Sequence, residues 1–285
     1  MQQRRDASAP LGVFDSGLGG LTVARALRHA LPNESIIYLG DTARVPYGTR
    51  SAETVIRYAR GCARLLVERG VKGLVIACNT VSAVAVELLR AELDLPVLGV
   101  VEPGARTAVR ALSELVATER PARIGVLGTV GTVASGAYPR AVAQLSTRFE
   151  CVAQAAPLLV PLVEEGWLDG QVPRLVIDRY LEPLIAAEVS VIVLGCTHYP
   201  LLAPLIAERA AALAGRGVPI VDSAAATADA VRDWIAEERI LPTDRAQRGD
   251  LELLVTDRPE SFRAVASRFL GDEVAAVNVV DLKPG

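Results

Sequence analysis

Lysine and histidine are almost missing from this 285-residue chain: the only lysines are Lys72 and Lys283, and the only histidines are His29 and His198. Pyridoxal phosphate chemistry needs a Schiff-base lysine beside the substrate. Lys283 lies two residues from the end, and Lys72 precedes an apolar run instead of following one, so neither suits a ligand at the C-terminal ends of strands. Cysteine is sparse as well, at positions 62, 78, 151 and 196 with no C-x-x-C pair. That pattern is not a disulfide framework and fits a reducing compartment. A zinc site drawn from Cys78, Cys196, His198 and a carboxylate would rest on one histidine at tight C-x-H spacing, which disfavours it, and no metal is expected. Charge of one sign is not in excess: 30 basic residues against 33 acidic give −3, which supplies no basic footprint for nucleic acid. Long apolar runs are missing too. The opening MQQRRDASAP has no apolar segment behind it, and nothing reaches the ~18 residues a membrane span needs, so the expectation is a cytoplasmic protein without a membrane partner.

What the chain does have is a globular composition, 51% hydrophobic and 22% charged, enough for one large domain or two modest ones. Short apolar runs alternate with helical patterns: LGVFD at 11–15, SIIYLG at 35–40, GLVIAC at 73–78, PVLGVV at 96–101, RIGVLG at 123–128, FECVAQ at 149–154 and SVIVLG at 190–195. This is the βαβ rhythm of parallel sheets. Over 51–69, Val55, Ala59, Cys62 and Leu66 share one helical face, with Ser51 and Glu53 as N-terminal signals. Cys62 therefore reads as core, and so does Cys151, which alternates with Phe149 and Ala153.

The chain also echoes itself. LGVFDSGLGG at 11–20 resembles IGVLGTVGTV at 124–133 with Gly12 laid on Gly125, and each segment leads on to a cysteine that ends an apolar run, in IACNT at 76–80 and LGCTH at 194–198. Similar α/β units of unrelated origin would look alike too. The expectation is nevertheless two similar parallel-sheet α/β domains related by pseudo-symmetry, with the active site in the cleft between them. Residues 1–102 and 215–285 are assigned to the first and 103–214 to the second, with EPG at 102–104 and AGRG at 214–217 as crossovers. VPIVDS at 218–223 and DLELLVT at 250–256 then belong to a tail that returns to the first domain.

A thiol at the end of a strand and the start of a helix lies near unpaired N–H groups that favour thiolate. Two such thiols, Cys78 and Cys196, suit removing a proton from one side of a carbon and returning one on the other. Asp15, at the C-terminal edge of a parallel strand, stands where open α/β sheets place ligands, although it could equally cap the next helix. DSGLGGLT at 15–22 lacks the P-loop lysine and G-x-G-x-x-G spacing, so its backbone fits a carboxylate better than a nucleotide. His198, two residues after Cys196, has the titration range of an acid–base partner; it could also be a satisfied, half-buried histidine. No G-x-S-x-G elbow supports a serine hydrolase. His29, in RHALPNE, reads as surface.

The motifs GVFDSGLGGLTV at 12–23, YLGDTARVPYGTR at 38–50, VIACNT at 75–80, PVLGVVEPG at 96–104, VPLVEEG at 160–166 and VLGCTHYPLL at 193–202 resemble, in order and over nearly the whole length, the glutamate racemases, cofactor-independent enzymes that supply D-glutamate for bacterial peptidoglycan. The resemblance implies that Cys78 and Cys196 are the catalytic acid/base pair flanking Cα, Cys78 deprotonating D-glutamate and Cys196 L-glutamate. It implies that Asp15 assists Cys78, that His198 assists Cys196, and that Glu164 stands on the Cys196 side; Glu164 is preferred to Glu165 because it directly follows the Val-Pro-Leu-Val run. Asp15, Ser16, Tyr47, Gly48, Asn79, Thr80, Thr197 and His198 match substrate-binding positions. The substrate implied is glutamate, with no cofactor, and the assembly implied is a homodimer. Ala155 stands where many relatives carry a third cysteine, and Val81 where alanine is common; neither removes a catalytic group.

Overall fold

Every residue of Leu11–Asp15 (β1) is buried, the signature of a central parallel strand covered on both faces. In the computed structural model, which describes residues 6–115, 122–237, 239–243, 247–274 and 276–282, β1 pairs in parallel with Ile36–Gly40 (β2) on one side and Gly73–Ile76 (β3) on the other. Val97–Gly99 (β4) extends the sheet beyond β3. A second parallel sheet repeats this order: Ala122–Gly128 (β5) lies between Phe149–Ala155 (β6) and Val189–Gly195 (β7), and Ile220–Asp222 (β8) pairs beyond β7. The orders β2-β1-β3-β4 and β6-β5-β7-β8 are equivalent, so β3 and β7, the strands that lead to Cys78 and Cys196, occupy the same place in their sheets. The expected pair of similar parallel α/β units is thus the observed architecture.

Two local expectations are corrected. Residues 218–223 were assigned to the returning tail, yet β8 is bonded to β7; without it the second sheet would lack the counterpart of β4. The chain rejoins the first sheet only with Leu251–Val255 (β9), which pairs with β2, and Asn278–Val279 (β10) beside it. The chain leaves the first sheet near 102–104 as a helix and not as a turn: Glu102, Pro103 and Gly104 lie in its opening turn, where a proline's missing N–H has no partner to lose.

Helices flank both sheets: α1 (Leu21–Ala30), α2 (Ala52–Glu68), α3 (Asn79–Glu92), α4 (Val101–Leu115), α5 (Val130–Ala134), α6 (Ala137–Leu145), α7 (Leu159–Glu164), α8 (Gln171–Ala186), α9 (Ala203–Ala214), α10 (Ser223–Ala236) and α11 (Pro259–Leu270). Side-chain alternation along the strands separates the cores. Leu11, Val13 and Tyr38 point to the face covered by Leu21 and Leu27 of α1 and Phe262 and Phe269 of α11. Phe14, Ile37 and Leu39 point to the opposite face, under Val55, Ala59, Cys62 and Leu66 of α2. Cys62 is fully buried there, and Ser51 accepts the Thr54 N–H at the start of α2. His29 is exposed as the sequence implies, whereas Cys151, read as core, is only half-buried at the edge of the cluster over the second sheet. Helix α10 packs on both α1 and α4, joining the two halves. Among the described residues no helix is long and apolar enough to cross a membrane. Lys283 lies outside the described residues.

Candidate active site

Asp15 ends β1 and is 1% exposed. Its Oδ2 accepts the backbone N–H groups of Gly17 (3.1 Å) and Gly20 (3.0 Å), so it organises the glycine turn as well as facing the cleft. Its Oδ1 is buried without a hydrogen-bond partner. Burial raises the Asp15 carboxyl above its ordinary range, against the opposing pull of the Gly20 N–H and the positive charge of His198. That coupling joins the two halves, since His198 follows β7. Gly19 is required at this junction: a Cβ there would collide with the side chains of Thr197 and His198. Thr22 Oγ1 lies 2.9 Å from the Gly19 carbonyl and 3.0 Å from that of Thr197, tying the turn to the opposite strand end.

Cys78 is the N-cap of α3 and is 6% exposed. Its thiol donates to Ser16 Oγ at 3.5 Å. Burial pushes the thiol up to about 12, with the negative charge of Asp15 adding to the rise and the Ser16 hydroxyl and Val81 N–H opposing it; charge on Cys196 raises it further. The two sulfurs therefore share one electrostatic environment. Cys196 departs from expectation in one respect. No α-helix starts there; a turn leads into the 3₁₀ segment Tyr199–Leu202, and α9 begins only at Ala203. Pro200 accounts for the delay, because a proline disfavours α conformation in the residue before it.

The Cys196 side instead has a side-chain relay. Its Sγ is 3.9 Å from His198 Nδ1, and His198 Nε2 is 3.0 Å from Oε1 of Glu164, the acid preferred to Glu165 in the sequence. Burial alone would depress the His198 imidazole. The hydrogen bonds and charges of Cys196 and Glu164 outweigh it and raise the group to about 10. Because this folded value lies above the ordinary 6.5, the protonated ring stabilises the fold fully below that pH, and the contribution disappears as pH rises through about 10. Glu164→Gln is expected to lower the His198 value. With only two histidines in the chain, an imidazole NMR titration reads it directly, and an unchanged value would exclude Glu164 as the cause.

The remaining predicted residues divide. Asn79 Oδ1 accepts the Tyr138 hydroxyl at 2.8 Å, while its buried Nδ2 has no partner. Thr80 Oγ1 is 2.9 Å from Thr129 Oγ1 and 3.3 Å from Thr132 Oγ1, across the two halves. Gly48 is packed against Thr129, and its carbonyl accepts the Gly131 N–H at 2.9 Å. Thr197 is buried at the β7 turn. Tyr47 does not present its hydroxyl to the cleft: it donates to the fully buried Asp41, and burial raises the phenol far above its usual range. Sequence reasoning missed Thr129, Thr132, Tyr138 and Asp41. Thr129 had a signal, being the counterpart of Ser16 when Gly12 is aligned with Gly125. It also missed Phe269, whose ring meets His198 edge-on, with centroids 5.4 Å apart.

Residues 21–231 match the Asp/Glu/Hydantoin racemase family. A glutamate racemase of Geobacter metallireducens is 47% identical over 274 residues, 96% of this chain and 97% of that one. The crystal structure of the Thermus thermophilus glutamate racemase in complex with β-chloro-D-alanine superposes with a TM-score of 0.82 at 45% identity, covering 98% of this chain and 99% of that one. The Francisella tularensis enzyme, in complex with D-glutamate, gives 0.85 at 32% identity over 97% and 99%. Sequence and sheet order together make this chain an amino-acid racemase, an isomerase that belongs to the Asp/Glu/Hydantoin racemase family and, within it, to the glutamate racemases.

Proposed function

We propose that the protein interconverts L- and D-glutamate by carrying the Cα proton between two thiols on opposite faces of the substrate. The observation that supports this most is that each thiol has its own titratable helper, Asp15 behind Cys78 and the His198–Glu164 pair behind Cys196, on two turns that interlock. In one direction Cys78 removes the proton from D-glutamate while Cys196 delivers another; in the other direction the roles exchange. One site must be thiolate while the other is thiol, and separate helpers allow that asymmetry to be reversed. Asp15, whose negative charge acts on Cys78, is the acid–base partner assigned to that thiol. The buried thiol at about 12 is a poor base by itself, and a substrate ammonium beside it favours the thiolate. Imidazolium at His198 in turn holds a proton for Cys196.

Substrate binding draws on Ser16, Asn79, Thr80, Thr197 and the 47–48 backbone. The unpartnered Asn79 Nδ2 is a donor suited to a carboxylate. No cofactor or metal takes part in this scheme. Dialysis against chelator should leave activity intact, and restoration by zinc or pyridoxal phosphate of activity lost in that step would overturn it. In deuterated water, glutamate of either configuration should exchange its Cα proton; binding without exchange would identify a receptor instead. Glutamate is expected over aspartate, because a shortened side chain misplaces the second carboxylate and leaves its donors unpaired. Aspartate turnover within about threefold of glutamate turnover would count against that assignment. The D-glutamate would serve peptidoglycan synthesis in the cytoplasm. The resemblance further supports a homodimer, which sedimentation equilibrium would test.

A further inference from the structure

Helix α11 follows β9 of the first sheet, beyond the 21–231 segment matched to the family, yet two of its consecutive residues grip the helper pair of the second half. Arg268 Nη1 donates to the backbone carbonyls of Glu164 (2.7 Å) and Val163 (3.0 Å) at the C-terminus of α7. Carbonyls at a helix end attract a cation, even where, as at Val163, one also accepts a backbone N–H, here that of Gly166. Gly166, at φ 78°, leaves the guanidinium its place: a Cβ there would lie 2.9 Å from Arg268 Nη2. The next residue, Phe269, is fully buried and meets the His198 ring at 83°.

We propose that Arg268 and Phe269 are positioning residues for the Cys196 face, holding Glu164 by its backbone and His198 by its ring. Glu164 needs such a hold. It ends a helix of six residues and its side chain is 46% exposed, so little else fixes the carboxylate that faces His198 Nε2. The groups around the imidazole are Cys196 just after β7, Glu164 from α7, Asp15 from β1 and Phe269 from α11, its ring edge-to-face with the imidazole. Of the two helices that present these groups, α7 is the shorter, and Arg268 ties it to the first half. The brace acts on one face only: Arg268 bonds to Val163 and Glu164, Phe269 meets His198, and Cys78 bonds to Ser16.

This inference rests on the two-thiol reading, and face-specific chemistry separates the two. With a β-chloroglutamate, removal of the Cα proton expels chloride without any reprotonation. The enamine formed then tautomerises and hydrolyses to 2-oxoglutarate and ammonium. Cys78→Ser keeps only the Cys196 base and should eliminate from the L-configured analogue; Cys196→Ser should eliminate from the D-configured one. Adding Arg268→Met is expected to slow the first reaction about tenfold and the second by less than about twofold. Phe269→Leu should show the same one-sided loss. Adding Arg268→Met to a Cys78→Ser/Glu164→Gln protein should cost little more, since the two residues act through one carboxylate. Equal losses on both faces, or full additivity with Glu164→Gln, would overturn the brace and leave the two-thiol reading standing. Absence of enantiomer preference in the parent single-cysteine proteins would overturn both.

Discussion

Racemisation is expected to fall by at least about 10³-fold in Cys78→Ala and equally in Cys196→Ala, while Cys62→Ala and Cys151→Ala retain most of it. A positioned acid or base contributes about 10²–10⁴-fold, and under the proposed two-thiol mechanism each passage needs both groups, so the loss of either removes the whole cycle. Cys62 is sealed in the core under α2, and Cys151 packs beside the second core, so neither sulfur reaches the cleft. The Cys62 substitution should lower stability modestly through lost packing, which a melting curve separates from turnover. Residual racemisation above about a tenth of wild type in either cleft variant would sink the two-base mechanism. Retained Cα exchange with one configuration in deuterated water, without inversion, would support it, since one intact face can still remove and return a proton.

Lys72→Met is expected to destabilise the protein by about 3–5 kcal/mol without changing turnover per folded molecule. Lys72 is 2% exposed, and its Nζ lies 2.6 Å from Glu34 Oε2, with the Ala7 and Leu241 carbonyls and Thr243 Oγ1 also in hydrogen-bond reach. Glu34 in turn accepts the N–H and hydroxyl of Thr243. Removing the ammonium strands a buried carboxylate, the costly half of breaking such a pair; Lys72→Met/Glu34→Gln should recover part of the loss. Chemical denaturation measures both. The same contacts explain why this amine is no Schiff-base candidate: it clasps the N-terminal segment and residues 241–243 at the start of β3. A Lys72→Met protein as stable as wild type but inactive would reverse that assignment.

Much of the site was legible because its signals are local. Asp15, Cys78 and Cys196 stand at the ends of apolar runs, and a strand end in a parallel sheet is a fixed address. His198 was legible from its place two residues after Cys196, but Glu164 only through resemblance to a family, since nothing in their spacing states that 34 residues of chain close into a 3.0 Å contact. Tyr47 shows the converse. Its motif matches a substrate position, and only the tertiary contact shows that the buried carboxylate of Asp41 takes its hydroxyl, leaving the backbone as its means of binding.

The sequence by itself determined the alternation of strand and helix, the internal repeat and the location of both thiols, because periodicity, turn residues and strand length act over a few neighbouring positions. Only the tertiary structure decided that β8 completes the second sheet, that Gly19 must lack a side chain, and that α11 crosses to Glu164 and His198. Those outcomes depend on which edges remain unpaired and which surfaces meet once the two halves dock. No short stretch of chain carries that information, since each contact joins segments tens to hundreds of residues apart.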